Sequence, residues 1–566
     1  MVKKEDKNYY VADFETLVLT KEEIEAGKRT YVWAWAICDV KNIESVAYGT
    51  DIKSFINSIS KLKSGSTVYF HNLKFDGNFI VSYLLENGYT WTNNKKMEDK
   101  TFQAFVNELG TWYSIRIRFG KKTININDSL KKLPFKVSVI AKQLGFEEEK
   151  GCIDYKAYRA EGGKLSDEDK DYIRRDVQIV AKALKEVCFS KDMYKMTIGS
   201  DCMAWYKDHF PKFDKFFPEL PEQVDFDIRQ AYKGGFCYVN KKYAGRRLKH
   251  TGYTYDYNSM YPSVMHSQSG YTYPVGKPIY FTGEYEKDVM HPLYIQHFKA
   301  LFSVKENKVP TVQIKGTVMY NEHEYIEEVQ ELTELWMTNV DLEIFFDHYD
   351  VFEIEFIDGY KFSALKGMFD EYINYWYKFK EEATIKKDKV GRMVAKLMLN
   401  NLYGKFATST DSTTQEFYLA DNGMLRHYNN YATKSGIYIP VACFITSYAR
   451  KELMEAIDNN MDAYCYSDTD SIHLLDKAKG IRIHDSALGY WKEESTWTDA
   501  KFIRQKTYAE LIDGKWDIKA AGASDDVKAY ITDIDKFDIG AVYPGKKIPT
   551  KAKGGIVLLD GTFSII

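Results

Sequence analysis

The sequence predicts a mixed α/β (α+β) protein built from several domains. Its 566 residues suggest about four compact units at roughly 150 residues per domain. Hydrophobic residues make up 45% and charged residues 28% of the chain, which is typical of a globular protein and excludes a collagen-like or disordered one. In the first part of the chain, strand-like runs precede a helix with a clear capping signal, so both kinds of element are expected there.

Helices and strands can be placed along much of the chain. Strand-like runs cover residues 9–18, 31–40, 66–71 and 112–119. A helix is expected after Ser166, whose hydroxyl can cap the first turn, with an apolar stripe that runs from Ile173 to Leu184. Residues 321–336 predict an acidic amphipathic helix, and residues 367–406 predict a long helix broken near 386–389. Residues 544–555 are basic and predict turns before a short apolar hairpin.

Charge and cysteine content exclude several classes of protein. The net charge is −3, which by itself indicates no charged partner. The seven cysteines are scattered without a CxxC pair, so neither structural zinc nor a disulfide framework is expected, and a reducing cytosol fits best. No run approaches the ~18 apolar residues that cross a bilayer, and the amino terminus lacks the apolar core of a secretory signal.

Four carboxylates in the first part of the chain predict a metal site. On a strand, Asp13 and Glu15 project from one face, and two carboxylates ~4 Å apart repel by about 4 kcal/mol at an effective dielectric of 20. Asp76 follows a strand-to-helix turn that we expect Gly77 to permit, and Asp176 lies four residues after Tyr172 on one helix face. Such oxygen-rich sets suit Mg²⁺ or Mn²⁺, whereas DxE alone is more often a solvated strand end, and Tyr172 alone could be rim packing.

A second acidic group lies further along. Asp256 ends a β-rich run, and Asp468 and Asp470 lie at the tip of a predicted strand–turn–strand. A DTD sequence by itself is usually a solvated turn, but the apolar and aromatic flanks and the matching Asp256 favour a metal site. A predicted helix then presents Lys396, Asn400 and Tyr403 on one face, with Gly404 placed to end or bend it. On a later predicted strand, Lys506 and Tyr508 share one face. Each of these basic sets could equally be a polar surface.

Eight motifs, in order, resemble those of one enzyme family. DFE, NLKFDG and YIRRD resemble the three exonuclease motifs of proofreading family B DNA polymerases, and DYNSMYP, KLMLNNLYG and YSDTDS the three polymerase motifs. AYKGGF resembles the YxGG linker motif, and KTY the late primer-binding motif. The phrases HNLKFDG, DSLKKLPF and LGYW are most similar to the protein-primed polymerases of phi29-like Bacillus phages. The resemblance covers essentially the whole chain.

This resemblance implies an RNase H-like 3′–5′ exonuclease domain followed by a right-hand polymerase domain. The expected boundaries are residues 1–195 for the exonuclease and 196–566 for the polymerase. Within the latter, we expect the palm at about 196–267 and 434–525, a terminal-protein-region insertion at about 268–360, the fingers at about 361–410, a second insertion at about 411–433, and the thumb at about 526–566.

The resemblance also implies roles for individual residues. Asp13, Glu15, Asp76 and Asp176 would bind the exonuclease metals. Tyr172 would orient the attacking water, and Lys150 would assist. Residues that would hold the frayed primer end are His71, Asn72, Phe75, Ser129 and Leu130. Asp256, Asp470 and the Tyr257 carbonyl would bind two polymerase metals, with Asp468 nearby.

The remaining implied roles concern the nucleotide and the DNA. Lys396 would meet the triphosphate, and Tyr261 would reject ribonucleotides through their 2′-hydroxyl. Residues that would line the nascent base pair are Asn400, Tyr403 and Gly404. Lys506 and Tyr508 would hold the primer strand, and Tyr232, Gly234 and Gly235 the template. Lys233 stands where many relatives have arginine. Lysine keeps the positive charge but lacks the planar fork with which arginine binds a phosphate through two hydrogen bonds.

The predicted function is a DNA-directed DNA polymerase that replicates a phage genome. We expect two Mg²⁺ (or Mn²⁺) ions per active site, initiation on a terminal protein, strand displacement and 3′–5′ proofreading. The expected partners are template and primer DNA, dNTPs and the terminal protein, with no membrane, as a monomer or a heterodimer in the infected bacterial cytoplasm. Alternatives are a family B polymerase restricted to nucleic acid primers, a non-catalytic DNA-binding scaffold and, less favoured, a nuclease.

Overall fold

The predicted mixed α/β class is confirmed. The computed structural model describes residues 7–145, 159–313 and 325–566. Within these ranges the strands assemble into six sheets, with helices along the whole chain. No helix in these three ranges is both long and apolar enough to span a bilayer.

The amino-terminal part is built on one mixed eight-stranded sheet. Its strands are β1 (Tyr9–Thr16), β2 (Val32–Asp39), β3 (Val46–Gly49), β4 (Thr67–Phe70), β5 (Thr90–Trp91), β6 (Thr101–Val106), β7 (Trp112–Phe119) and β8 (Lys122–Asp128). Their order is β3-β2-β1-β4-β8-β7-β6-β5, with β4 parallel to both β1 and β8. The helices are α1 (Lys21–Glu25), α2 (Ile52–Ser60), α3 (Leu73–Glu86), α4 (Val137–Gln143) and α5 (Asp167–Ala183).

Alternate side chains of β1 face different helices on the two sides of this sheet. Phe14 packs with residues of α2 and α3, whereas Val11 belongs to the core that includes α5. Asp13 and Glu15, in phase with Val11, therefore lie on the α5 side. The Ser166 cap of α5 is confirmed: its hydroxyl accepts from the Asp169 amide, and the Asp169 carboxylate accepts in return.

The rest of the chain carries the other five sheets. The strands are β9 (Cys237–Val239), β10 (Arg247–Leu248), β11 (Gly252–Tyr257), β12 (Tyr273–Thr282), β13 (Leu293–Val304), β14 (Thr333–Thr338), β15 (Tyr349–Leu365), β16 (Asp411–Leu419), β17 (Leu425–Thr433), β18 (Tyr464–Asp468), β19 (Ser471–Leu474), β20 (Trp491–Trp497), β21 (Ala500–Arg504), β22 (Thr507–Ile512), β23 (Lys515–Ala520), β24 (Val542–Ala552) and β25 (Gly555–Ser564). The sheets are β20-β11-β19-β18-β9, β10-β21-β22-β23, β12-β15-β13-β14, and the hairpins β16-β17 and β24-β25.

In the described part of the chain, nine further α-helices connect these sheets. They are α6 (Ile198–His209), α7 (Phe213–Phe216), α8 (Glu222–Gln230), α9 (Met260–Met265), α10 (Asn339–His348), α11 (Asp370–Ile385), α12 (Lys389–Phe406), α13 (Ile439–Asp458) and α14 (Asp525–Lys528). The break predicted near 386–389 is confirmed, because it separates α11 from α12. The domain boundaries stay predictions, although β15 runs past the boundary expected at residue 360.

Several local predictions are wrong. From residue 325 onward the predicted acidic helix is instead irregular chain leading into β14, because Leu335 and Met337 alternate into a sheet core. Residues 544–555 form strand β24 and its turn into β25 rather than a turn-rich segment. Gly404 does not end α12, which continues to Phe406; that it bends the helix stays a prediction. Lys506 is not on a strand; it lies in the β21–β22 turn with φ +57°.

The predicted role of Gly77 is also wrong. The tight backbone after β4 is at Asn72, with φ +78°, and Gly77 lies inside α3. Gly77 is required for space instead, because a Cβ there would lie 2.6 Å from the Trp112 ring.

Candidate active sites

The three acidic residues of the second group meet at one end of the five-stranded sheet. Asp256 is near the end of β11, opposite Ser471 of β19, and Asp468 ends β18 opposite the same serine. The Tyr257 amide donates to the Asp470 carbonyl at 2.7 Å, which fixes the β11 end against the turn. Thr469 has φ +62° and its amide donates to the Phe236 carbonyl at 2.7 Å. The predicted strand–turn–strand is therefore confirmed.

Crowding of carboxylates perturbs their ionisation. Burial, followed by the charges of Asp470 and Glu494, raises the pKa of Asp256 to about 7. Burial also raises the pKa of Asp470 to about 6, with Asp468 and Glu494 adding to the effect. Lys396 and Lys492 oppose the shift of Asp256 without cancelling it. A divalent cation would favour the ionised form of both carboxylates.

Cations from two antiparallel helices face this acidic edge. Lys396 on α12 is exposed, and its positive charge partly offsets the rise in the pKa of Asp256. Lys380 on α11 is partly buried near Arg392 and Lys396, and burial followed by these two charges lowers the pKa of Lys380. Sequence reasoning missed Lys380, Arg392 and Glu494. Only the packing of α11 against α12, and the pairing of β20 with β11, brings these residues to the site.

Tyrosines and glycines line the space beside the cations. Tyr261 on α9 stacks on Tyr403 of α12, with ring centroids 4.0 Å apart. Burial, with Tyr403 next, raises the pKa of Tyr232 to about 12, which places Tyr232 beside the same pair. Asn400 is exposed on α12 between Lys396 and Tyr403, and Gly404 follows Tyr403 directly.

The glycine loop before β9 contacts the acidic turn. A Cβ on Gly235 would lie 2.6 Å from the Thr469 side chain, so only glycine fits there without a shift. The carbonyls of Lys233 and Gly234 accept from the Arg450 guanidinium at 2.9 and 2.6 Å. The loop is thus held on both sides.

Lys506 and Tyr508 also reach this region, although not on one strand face. Lys506 Nζ donates to Asp468 Oδ1 at 2.7 Å from its turn position. The Tyr508 ring packs against Tyr466, with centroids 4.9 Å apart.

The first acidic group gathers between β1, α3 and α5. Asp76 in the first turn of α3 is buried, and this burial, with Asp13 and Glu15 next, raises its pKa well above the ordinary value. Asp176 and Tyr172 are buried on α5, not at its rim, where the helix packs across β1 and β2. The charge of Asp176 also partly offsets the burial that lowers the pKa of His71, so Asp176 lies near the His71 ring. Lys150 lies outside the described residues.

Residues of the turns after β4 and β8, next to this group, form a hydrogen-bonded corner. His71 Nδ1 is 2.9 Å from Ser129 Oγ, and His71 Nε2 is 2.7 Å from the Phe135 carbonyl. Burial lowers the pKa of His71. Asp128, which sequence reasoning missed, accepts from the amides of Asn72 and Leu130, both at 3.0 Å.

A cavity of about 270 Å³ opens beside this corner. Asp13, His71, Phe75 and Asp76 line it on one side. The other side is lined by residues of the carboxyl-terminal hairpin: Pro549, Ile556 and Leu558. The chain terminus is thus part of a site that the amino-terminal motifs define, and no local sequence signal predicts that contact.

Both acidic groups offer the oxygen donors that suit a divalent cation. In the ranges 7–145, 159–313 and 325–566, no group of three or more His, Cys, Asp or Glu side chains already has the arrangement of a metal site. The donors are nevertheless carboxylates and a carbonyl, the hard oxygen ligands that Mg²⁺ and Mn²⁺ prefer.

Comparison with known proteins decides the family. The model of the family "DNA polymerase type B, organellar and viral" matches residues 59–479. This chain belongs to the type B DNA polymerases. The DNA polymerase of Bacillus phage phi29 is 37% identical to it over 99% of each chain, and that of Bacillus phage Nf 38% identical over 94% of this chain and 96% of its own. The Streptococcus phage Cp-1 polymerase is 32% identical over 98% of each.

Solved structures agree with this assignment. Phi29 DNA polymerase, complexed with primer-template DNA and incoming nucleotide, superposes with a TM-score of 0.91 at 36% identity. The match covers 99% of this chain and 100% of the phi29 chain. The type B polymerase described here is therefore a DNA-directed DNA polymerase of the phage type, with the predicted exonuclease-plus-polymerase architecture.

Proposed function

We propose that this polymerase extends DNA at the edge formed by Asp256 and Asp470. The observation that carries the proposal is the half-buried, repelling carboxylate pair of β11 and the β18–β19 turn, which faces the cations of α11 and α12. A primer 3′-hydroxyl attacks the dNTP α-phosphorus, the bond to the bridging oxygen breaks, and pyrophosphate leaves.

The residues divide this work between them. Asp256, Asp470 and the Tyr257 carbonyl would hold two Mg²⁺ or Mn²⁺ ions, which lower the pKa of the attacking hydroxyl and neutralise the leaving group. Lys380, Arg392 and Lys396 balance the triphosphate charge. The residues that contact the nascent base pair are Tyr261, Asn400, Tyr403 and Gly404. Tyr232, Gly234 and Gly235 contact the template, and Lys506 and Tyr508 the primer end, while Asp468 lies beside the metal-binding carboxylates and holds Lys506.

A second site would remove mismatched primer ends. Asp13, Glu15, Asp76 and Asp176 would hold its Mg²⁺ or Mn²⁺ ions, and Tyr172 would orient the attacking water, with Lys150 assisting. The residues that receive the single-stranded end are His71, Asn72, Phe75, Ser129 and Leu130. Mismatched ends fray more readily and therefore reach this cavity more often.

The choice of primer is the finer part of the proposal. Relatedness to the phi29 polymerase, together with the β12–β15 sheet and the β16–β17 hairpin at the two expected insertions, supports initiation on a terminal-protein hydroxyl, followed by strand displacement. Such an enzyme would act in the infected bacterial cytoplasm, alone or as a heterodimer with the terminal protein. Initiation restricted to nucleic acid primers is the alternative.

Paired substitutions test the two active sites. Asp470→Ala should abolish dNTP incorporation while leaving Mg²⁺-dependent degradation of single strands, and Asp13→Ala should do the reverse. Loss of both activities in each variant would contradict two separate sites, and no turnover in the wild type would leave only a scaffold.

Labelled dATP with a candidate terminal protein should give a covalent protein–dAMP adduct; primer extension without that adduct favours the alternative.

A further inference from the structure

One carboxylate on α13 accepts hydrogen bonds from two tyrosines. The Tyr257 hydroxyl donates to Glu452 Oε2 at 3.0 Å, and the Tyr271 hydroxyl donates to Glu452 Oε1 at 2.7 Å. Burial, with the charge of Glu452 next, raises the pKa of both tyrosines, so each hydroxyl keeps its proton and donates it. Because each carboxylate oxygen has its own tyrosine, Glu452 fixes the two hydroxyls relative to each other.

The first of these tyrosines is the last residue of β11. Tyr257 is buried, and its ring packs edge-on against Trp491 with centroids 5.0 Å apart. It follows Asp256 directly, and its amide donates to the Asp470 carbonyl, so its backbone lies between the two acidic residues of the polymerase site. A buried side chain held in one rotamer turns only together with its backbone. A fixed Tyr257 hydroxyl therefore limits rotation of the Tyr257 carbonyl.

The second tyrosine is anchored away from the acidic edge. Tyr271 precedes β12 by two residues and stacks on Tyr448 of α13, with centroids 4.0 Å apart. The Tyr448 hydroxyl donates to the Thr272 carbonyl at 3.0 Å. Tyr448 and Glu452 are four residues apart, so they share one face of α13. The helix, the stacked rings and the base of β12 thus form a fixed support that orients the Glu452 carboxylate.

We propose that Glu452 is a positioning residue for the polymerase metals. Through the Tyr257 hydroxyl it sets the orientation of the Tyr257 carbonyl, and it contacts neither the ions nor the nucleotide. The inference rests on the proposed function, in which that carbonyl holds a metal ion together with Asp256 and Asp470. Residues that orient a metal ligand typically change metal affinity or activity by 10- to 100-fold.

Manganese binding tests this inference without turnover. The parent is the Asp13→Ala enzyme, which lacks one ligand of the exonuclease site, and bound Mn²⁺ is measured from the loss of the free-ion EPR signal. The binding that disappears on adding Asp470→Ala belongs to the polymerase site. Glu452→Leu and Tyr257→Phe should each weaken that binding by about tenfold. Glu452→Gln should restore most of it, because the amide can still bond both hydroxyls.

Two controls separate positioning from changes in folding or charge. Glu455 is exposed on the next turn of α13 and acts on Tyr271 through its charge, so Glu455→Leu removes a nearby carboxylate but keeps both tyrosine bonds. This variant should bind Mn²⁺ as the parent does. With Asp13 intact, Glu452→Leu should degrade single strands at the wild-type Mg²⁺ midpoint, which verifies folding, while its Mg²⁺ midpoint for dNTP incorporation rises about tenfold.

A double variant gives the sharpest comparison. Glu452→Leu and Tyr257→Phe break the same bond, so together they should weaken Mn²⁺ binding no more than Glu452→Leu alone. Additive weakening, parent affinity in Glu452→Leu, or an equal loss in Glu455→Leu would overturn the inference and leave the proposed site intact. Mn²⁺ binding that is unchanged by Asp470→Ala would overturn the proposed site, and the inference with it.

Discussion

The rings of Tyr261 and Tyr403 stack with centroids 4.0 Å apart and planes inclined by 23°, which joins α9 to α12 beside the acidic edge. The stacking holds the Tyr261 ring in one position. By the resemblance to family B polymerases, the sugar of the incoming nucleotide would lie against this ring. A ring held in this way has little freedom to yield to an additional hydroxyl group.

Tyr261→Val should therefore admit ribonucleotides. We expect the preference for dNTP over rNTP, measured as the ratio of kcat/KM values, to fall by roughly 10- to 200-fold, because the steric barrier to the 2′-hydroxyl is removed. Tyr403→Phe keeps the stacking ring and should preserve the preference. A Tyr261→Val enzyme that still rejects ribonucleotides would assign the discrimination to another residue.

Gly235→Ala should impair polymerisation through the acidic turn. The added Cβ would lie 2.6 Å from the Thr469 side chain, so the Asp468–Asp470 turn must shift, and we expect dNTP incorporation to fall by roughly 100-fold. Thr469→Gly in the same chain removes the clash and suits the positive φ at that position, so the double variant should recover activity. Failure of this rescue would show that the glycine is needed for another reason.

Arg450→Met should destabilise the protein strongly. Its guanidinium is buried and donates to Asp341 at 2.7 and 2.9 Å. Leaving that carboxylate unpaired costs about 3–5 kcal/mol. The neighbouring Lys451 forms an exposed pair with Glu343 at 3.0 Å, so Lys451→Met should change stability by only ~0–1 kcal/mol. Urea unfolding of the two variants measures the contrast, and similar unfolding curves would contradict it.

The requirement for Mg²⁺ should depend on pH. Without an ion, the pKa of Asp256 is raised to about 7 and that of Asp470 to about 6, so a fall in pH from 7 to 6 protonates first Asp256 and then part of Asp470. Protons then compete with the cation, and the Mg²⁺ concentration for half-maximal incorporation should rise. Titrations of Mg²⁺ at the two pH values test this. An unchanged midpoint would mean that neither carboxylate binds the ion.

Local sequence patterns correctly predict much of the local structure. Strand alternation put Asp13 and Glu15 on one face, the Ser166 cap defined the start of α5, and the tip position of Asp468 and Asp470 followed from local patterning, because short-range sterics and hydrogen bonds decide these features. Local signals mislead where long-range packing prevails: residues 325–336 have helix-favouring acidic residues, yet sheet pairing extends Leu335 and Met337 into a core.

Long-range packing, in contrast, brings residues that are distant in sequence into a shared site. Lys380 and Arg392 reach the acidic edge through the packing of α11 on α12, Glu494 through the pairing of β20 with β11, and the carboxyl-terminal hairpin closes a cavity beside His71. Such contacts depend on the summed burial of whole elements rather than on any local run of residues, and a single sequence carries no local record of them.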